Sequence, residues 1–435
     1  MDYRDRLIDI DKALSLVKSG DIIVTGLGSA EAGLFMGNLH TIADRVKNVT
    51  VTNCLPTHPS EIYDEKYADT FYVDGWFYAP VLRKAHKNGN ISFIPNHLHL
   101  SAIKRLDFVR PNIYVGAASM PDKHGFVSLS LSNTYERRMM EAADLVILEI
   151  NPNMPFTLGS YVSVDEVDYF VRADYEAPTI EEAPYSEKDI SIGKYIADMV
   201  PDGACIQLGI GGIPNAVAAA LESKNDLGVH TEMLTTGMMH LAKKGVINGK
   251  RKQAEKGTMV AAFAMGSKQL YEFLDYNPSA AILDGAWVND PYVIARNDGQ
   301  ISINTTLEVD LTGQCASESL GSRQFSGTGG QSDTAVGAQN SKGGKSIIAL
   351  YSTATIKNPE TGEPRMVSKI VPQLMAGAAV SLSRNDVDRV VTEYGVAELR
   401  GTNIRERVSR LIAIAHPDFR DQLREEAVRL GILGR

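Results

Sequence analysis

Apolar residues in this chain gather in short runs that end at glycine, and stretches of helical spacing lie between the runs. Ala204-Cys-Ile-Gln-Leu-Gly-Ile-Gly-Gly-Ile-Pro-Asn-Ala-Val217 begins with such a run, turns on glycine and continues as the opening of a helix. A short apolar run bounded by turn residues fits a strand buried on both faces of a parallel sheet. Leu227-Gly-Val-His-Thr-Glu-Met-Leu-Thr-Thr-Gly237 then reads as a second strand that delivers Glu232 into a small-residue loop. The same plan occurs earlier. Ser19-Gly-Asp-Ile-Ile-Val-Thr-Gly-Leu-Gly28 is a turn, a strand and Gly-x-Gly, followed by a small-residue helix from Ala30 to His40 and a strand, Val49-Thr-Val-Thr-Asn-Cys54. In the later copy the helix spans Pro214 to Glu222.

Further elements follow from the same patterning. Pro121-Asp-Lys-His-Gly-Phe-Val-Ser-Leu-Ser130 predicts a hairpin, and residues 301–314 a comparable strand–turn unit. Asp144-Leu-Val-Ile-Leu-Glu-Ile150 and Lys345-Ser-Ile-Ile-Ala-Leu350 are central-strand candidates. Residues 175–185 are acidic and twice broken by proline, which marks a linker, and a helix begins near Ser186 and runs to Met199. Strand–glycine–helix units recur in any α/β protein, but their matching order here favours duplication. The expected architecture is two tandem open α/β domains of related plan, residues 1–185 and 186–435, with the active site in the cleft between them.

Composition narrows the function classes. A chain of 435 residues exceeds one ordinary core, which agrees with two domains. The net charge of −9 argues against nucleic acid or an anionic membrane as partner. Three scattered cysteines without a Cys-x-x-Cys pair fit a reducing compartment and exclude a cysteine-based zinc site. The charged N-terminal decapeptide lacks the apolar segment of a signal peptide, and no apolar run approaches membrane-spanning length. A cytoplasmic enzyme is expected.

Glu232 carries the most chemical weight. Ligands of open α/β sheets bind at the carboxyl ends of strands. A glutamate there, beside amides exposed by glycine, can attack a carbonyl or hold a ribose. A dinucleotide site is one alternative, because Gly209-Ile-Gly211 follows a strand, but Pro214 stands where the fingerprint needs its third glycine. Gln339-Asn-Ser-Lys-Gly-Gly-Lys-Ser346 nearly spells a phosphate loop, yet it runs into a β-prone segment rather than a helix. His230-Thr-Glu232 lacks the Pro-Cys-x-x-Cys that completes a zinc deaminase, and His97-Leu-His99 lacks a third ligand, so no metal is expected. No Gly-x-Ser-x-Gly elbow exists. Phe325-Ser-Gly-Thr-Gly-Gly-Gln-Ser-Asp333 is too rich in glycine for a regular helix or strand and suits close approach of a ligand to the backbone.

Taken together, these segments resemble the acetyl-CoA hydrolase/transferase family, nearest to its 4-hydroxybutyrate and butyryl-CoA:acetate CoA-transferase branches. The carriers are residues 207–217 and 228–237, Gly329-Gly-Gln-Ser-Asp333, Ser368-Lys-Ile-Val-Pro372 and Thr392-Glu-Tyr-Gly-Val-Ala-Glu-Leu-Arg-Gly401. The resemblance implies that Glu232 is the nucleophile that becomes a glutamyl-CoA thioester. It also implies that Gln207, Leu208, Gly209, Ile210, Gly211, Gly329 and Gly330 contact CoA or form the oxyanion hole. Lys357 is carried over as a CoA contact across a departure: the family often shows Ser-Thr-Ala-Lys, whereas this chain has Ser352-Thr-Ala-Thr-Ile-Lys357 and a longer loop, residues 358–364. Acyl-CoA and a carboxylate are the expected substrates, with no permanently bound cofactor, in a homo-oligomer. Gly28, Glu31, Asn96 and His97 are the candidates for the carboxylate side. Acetate, butyrate, 4-hydroxybutyrate and dicarboxylates stay open as the acid. An acyl-CoA hydrolase, a nicotinamide dehydrogenase and a non-catalytic acyl-CoA sensor are the rival functions.

Overall fold

The computed structural model describes residues 3–357 and 361–434. The first half of the longer loop at 358–364 therefore lies outside the described residues. The chain forms two compact units. Unit 1 comprises Met1–Glu181, His230–Met239 and Thr258–Asp290, and unit 2 comprises Glu182–Val229, His240–Gly257 and Pro291–Arg435.

Unit 1 contains an eight-stranded sheet in the order Leu7–Ile8, Tyr169–Arg172, Leu145–Ile150, Ile113–Ala118, Ile22–Thr25, Val49–Asn53, Phe71–Gly75, Ile91–Phe93. Every ladder in it is parallel. Alternate residues of its strands enter different cores: Ile23, Val51, Val73 and Val115 pack in one, and Val24, Tyr114, Leu148 and Phe170 in the other. Burial on both faces explains why the strands read as unbroken apolar runs. From Ile22–Thr25 the next three strands in sequence extend to one side and Ile113–Ala118 lies on the other. The Gly26–Leu27–Gly28 turn thus leaves the sheet at its topological switch point, the position where open α/β sheets bind ligands.

The second half repeats this order. In unit 2, Gly228 and Val229 pair with Cys205–Leu208, which pairs with Gln300–Thr305; Lys345–Ala349 and Arg389–Thr392 follow, all parallel. Gly395–Glu398 adds an antiparallel edge. In unit 1, the strand Gly228–Leu234 continues from His230 and pairs with Met259–Ala264, which pairs with Ala280–Ile282. Cys205–Leu208 therefore occupies in its sheet the place of Ile22–Thr25, and Gly228–Leu234 that of Val49–Asn53. The expected α/β class and the related plan of the two halves are both found.

Most expected elements appear with shifted ends. Ser186 caps the helix Glu187–Met199 through a capping box with Asp189. The helix after Gly-x-Gly spans Gly212–Ala220, and its first-half counterpart is a shorter Gly33–Asn38 flanked by 3-10 turns. Three readings need correction. The Glu232 strand does not stop there but runs to Leu234, and Thr236–Lys243 is helical rather than a loop. The chain folds back at 121–128, with Asp122 N–H donating to the Phe126 carbonyl, but Phe126–Ser128 takes its ladder from the distant Tyr161–Ser163. The glycine-rich run is irregular only to Gly330, because Gln331–Asn340 forms a helix. Its first-turn side chains find partners within the fold, Gln331 with Thr305 and Ser317 and Ser332 with Ser381. No helix among the described residues is long and apolar enough to cross a membrane.

Candidate active site

Glu232 is the one residue of the strand Gly228–Leu234 that is not fully buried. Two adjacent residues of one short helical segment hold this strand face. His230 Nε2 lies 2.7 Å from the Val288 carbonyl oxygen, and the Asn289 side-chain amide donates to Glu232 Oε2 at 3.2 Å. Residues 230 and 232 share a strand face by the period of two, so the helix Gly285–Val288 and Asn289 dock against both. Asn289 is fully buried, and its Oδ1 has no hydrogen-bond partner. Glu232 also acts on Cys54 across the unit: burial first, then the charges of Glu136 and Glu232, push that thiol well above its ordinary range. Cys54 follows the strand Val49–Asn53, so Glu232 lies within electrostatic reach of one strand-end loop of the first sheet.

Those loops are fastened by buried carboxyl groups. Glu136 accepts the Leu27 N–H at 2.8 Å and the Tyr135 N–H at 2.9 Å. Gly28 has φ +54°, donates its N–H to the Cys54 carbonyl, and accepts the Thr57 hydroxyl at 2.8 Å. A Cβ at Gly28 would lie 2.8 Å from Met265 Sδ, so only glycine lets the turn approach that side chain. Glu31 is fully buried and takes the Thr57 and His58 N–H groups on one oxygen, each at 2.9 Å, while its other oxygen has no partner. Glu149, also fully buried, accepts from Leu34 N–H, Phe35 N–H and the Tyr175 hydroxyl. Burial pushes the carboxyls of both Glu31 and Glu149 up to about 7. His58 stacks edge-on to Tyr175, and burial lowers its imidazole to about 4.

Of the four carboxylate-side candidates, Gly28 sits beside Met265 and Cys54, whereas Glu31 is a buried clamp between loops. Asn96 is half-buried and donates to the His97 carbonyl, and His97 is exposed. Both precede the turn Leu98–Leu100, which packs against Gly285–Val288, the helix that carries Asn289. Sequence reasoning missed Asn289, Glu136, Glu149 and Tyr175. Glu149 has one visible signal, a charge inside the apolar strand Leu145–Ile150, where a buried ionisable group needs partners.

The CoA-side candidates belong to unit 2. Gln207 Oε1 accepts Ile303 N–H and the Ser302 hydroxyl, both at 3.1 Å. Ser302 Oγ in turn lies 3.0 Å from Thr334 Oγ1 in the helix that follows Gly330. Asn304 donates to the same Thr334 oxygen at 3.0 Å. The Gly330 carbonyl accepts the Thr334 N–H at 2.8 Å, so Gln207 and Gly330 are linked through Ser302 and Thr334. Leu208 is buried, Ile210 is exposed, and Gly209 and Gly211 form the turn, Gly211 with φ +113°. Lys357 is exposed at the end of the strand Thr353–Lys357, which pairs with Pro364–Ser368 in a hairpin of its own. Among the described residues, no group of three or more His, Cys, Asp or Glu could hold a metal ion.

Fold and side chains define a class: an open α/β enzyme with a strand-borne, hydrogen-bonded glutamate and glycine turns at the strand ends. The chain belongs to the acetyl-CoA hydrolase/transferase family. Residues 1–181 match the model of the family's N-terminal domain and residues 266–427 that of its C-terminal domain. The chain is 40% identical to the succinyl-CoA:cyclohexane-1-carboxylate CoA transferase of Geobacter metallireducens, over 99% of this chain and 96% of that one. It is 39% identical to the 4-hydroxybutyrate coenzyme A transferase of Clostridium kluyveri, over 98% and 97%. Its fold is similar to the crystal structure of RipA from Yersinia pestis, with a TM-score of 0.90 at 32% identity over 99% of each chain. The resemblance read from the motifs is borne out, and relatives spanning the whole chain are named CoA transferases.

Proposed function

We propose that this protein moves CoA between an acyl-CoA and a short-chain carboxylate by ping-pong kinetics, with Glu232 as the nucleophile. The observation that supports this most is Glu232 itself: half-buried on a sheet strand and hydrogen-bonded by Asn289, in a chain of this family. A carboxylate nucleophile suits the exchange, because each step converts one activated carboxyl derivative into another of similar energy. One Glu232 oxygen attacks the thioester carbonyl, and collapse expels the CoA thiolate to leave an acyl-glutamyl anhydride. The thiolate attacks the glutamyl carbonyl, releasing the free acid and leaving CoA as a thioester on Glu232. A second carboxylate reverses these steps. Each tetrahedral oxyanion needs preorganised donors, and one such donor is worth about 3 kcal/mol. The amides of residues 209–211 and 329–330 are our candidates. Gln207 holds the first turn in place, and Gly28 with the Asn96–His97 segment forms the carboxylate side, with Glu31 supporting it. We keep Lys357 as a candidate contact for the distal part of CoA. CoA enters as substrate, and no bound cofactor or metal takes part. We further propose a cytoplasmic homo-oligomer in which residues 1–185 supply the acid side and 186–435 the CoA side.

Hydrolysis is the second reading, because water at the same thioester gives free CoA. Incubation with acetyl-CoA and a carboxylate, with acyl-CoA products followed by mass, tests the proposal. A new acyl-CoA supports transfer. Free CoA alone, with no dependence on the acid, overturns it in favour of hydrolysis.

A further inference from the structure

Two neighbouring side chains of unit 1 clamp the turn that leaves the first sheet at its switch point. The Tyr135 hydroxyl donates to the Thr25 carbonyl at 2.9 Å, and Glu136 Oε1 accepts the Leu27 N–H at 2.8 Å, so the residues on both sides of Gly26 are held. Both side chains are buried. Glu136 Oε2 accepts the Tyr135 N–H at 2.9 Å, so the carboxyl is pinned by its own segment while it grips the turn. Burying a carboxyl costs stability that an apolar side chain of similar size would not. What the carboxyl supplies is two acceptors at a fixed spacing.

The rest of this segment is built against the elements that carry Glu232. The Leu131 carbonyl accepts the Ala264 N–H at 2.8 Å, Ser132 bridges to Phe263, and Asn133 N–H donates to the Ala262 carbonyl at 2.9 Å. Phe263 is in register with Met233, the residue after Glu232. The Asn133 carbonyl accepts the Gly285 N–H at 2.9 Å, and a Cβ at Gly285 would lie 2.5 Å from the Thr134 carbonyl oxygen. Arg138 grips Asp284 at 2.6 Å, and Asp284 caps the helix Gly285–Val288 by accepting the Ala286 N–H at 3.0 Å. Asn289, which ends that helix, bonds Glu232. The charges of Glu136 and Glu232 both act on the Cys54 thiol, so the two carboxyls lie within electrostatic reach of one atom.

Resting on the transferase reading above, we infer that Tyr135 and Glu136 are positioning residues for the reaction: residues 131–138 form one strut that sets the Thr25–Gly28 turn relative to Glu232. The strut touches no reacting atom. It fixes the spacing between the turn and the nucleophile, and a reacting group displaced by about 1 Å loses ~100-fold in rate.

The test reads the first half-reaction alone, the single-turnover rate at which CoA from saturating acetyl-CoA appears on Glu232 by intact mass. A glutamine at 136 has one acceptor oxygen, so its NH2 group faces either the Leu27 or the Tyr135 N–H. Glu136→Gln and Tyr135→Phe are each expected to slow the step by about tenfold or more. The affinity for free CoA, measured by calorimetry, is expected to stay unchanged. The double variant is expected to be no slower than the worse single one, because both changes free the same turn. Tyr135→Phe removes only a hydroxyl and carries the test by itself if Glu136→Gln does not fold. Normal rates in the folded variants, with only a lowered melting temperature, would reduce the strut to a structural role and overturn the inference while leaving transfer intact. Additive losses, or CoA binding weakened as much as the rate, would overturn it as well. No adduct and no transfer in the unaltered protein would overturn the transferase reading, and this inference with it.

Discussion

At position 289 an amide rather than a carboxyl meets Glu232. The Asn289 amide donates to the carboxylate and carries no charge of its own, so Glu232 is oriented by a neutral partner. Glu232→Gln keeps the size and removes the nucleophilic charge, and it is expected to abolish transfer with the fold unchanged by circular dichroism. Glu232→Asp withdraws the oxygen by one methylene, and misplacement of about 1 Å costs ~100-fold in kcat. Asn289→Asp is more informative, since it sets a like charge at the same distance. Two adjacent carboxyls cannot both ionise readily, so the acidic limb of the kcat/KM–pH profile is expected to move to higher pH. An unmoved limb with lowered activity would mean that Asn289 merely packs. Glu232 was legible in the sequence because a charge interrupts an apolar strand before small residues. Asn289 was not, since Val-Asn-Asp-Pro carries no periodic or motif signal and its role depends on a contact 57 positions away.

At the scale of elements, buried acids fasten the loops that follow the strands of the first sheet. Glu31 ties residues 57–58, and Glu149 caps the N–H groups of the helix Gly33–Asn38, with Tyr175 reaching both segments. These carboxyls are raised to about 7 in the folded chain, above their unfolded values. An acid raised on folding binds more protons in the native state, so its stabilising contribution is present at low pH and is lost as pH rises through the folded value. His58 works the other way, since lowering to about 4 makes stability rise with pH until its unfolded value near 6.5. The glutamates therefore act alone above that point. The melting temperature is expected to fall between about pH 6.5 and 8, and Glu149→Gln to flatten that fall. A melting temperature that rises or stays level across this window in the unaltered protein would contradict the assignment. Such struts escape sequence reading. Strand Leu145–Ile150 was evident from its apolar run, but which amides would claim the charge inside it depends on the parallel register of distant strands.

At the scale of the whole molecule, the repeated strand order was legible because both halves begin with the same strand, glycine turn and helix. Less legible was how the chain divides. Gly228–Leu234 is one unbroken strand, yet its first two residues group with unit 2 and the rest, with Glu232, with unit 1. No proline, charge run or change of period marks that passage, because a strand paired along its length needs none. The glycine-rich run misled for a related reason: Gln331, Ser332 and Asp333 look like loop residues, but Ser332 and Gln331 bond to residues 381, 305 and 317, so the fold rather than local propensity makes them helical. If CoA is handed over through Glu232, double-reciprocal plots at several acid concentrations are expected to be parallel, and intersecting lines would oppose a ping-pong cycle. The most direct measurement is of the intermediate itself. Protein exposed to acyl-CoA without acceptor acid, then examined by intact mass and peptide mapping, is expected to carry one CoA per chain, joined as a thioester to Glu232. Borohydride should convert that carboxyl carbon to an alcohol, and prior addition of acceptor acid should discharge it. Rapid turnover of acyl-CoA to a new acyl-CoA with no adduct on Glu232, or with the adduct on another residue, would contradict the account.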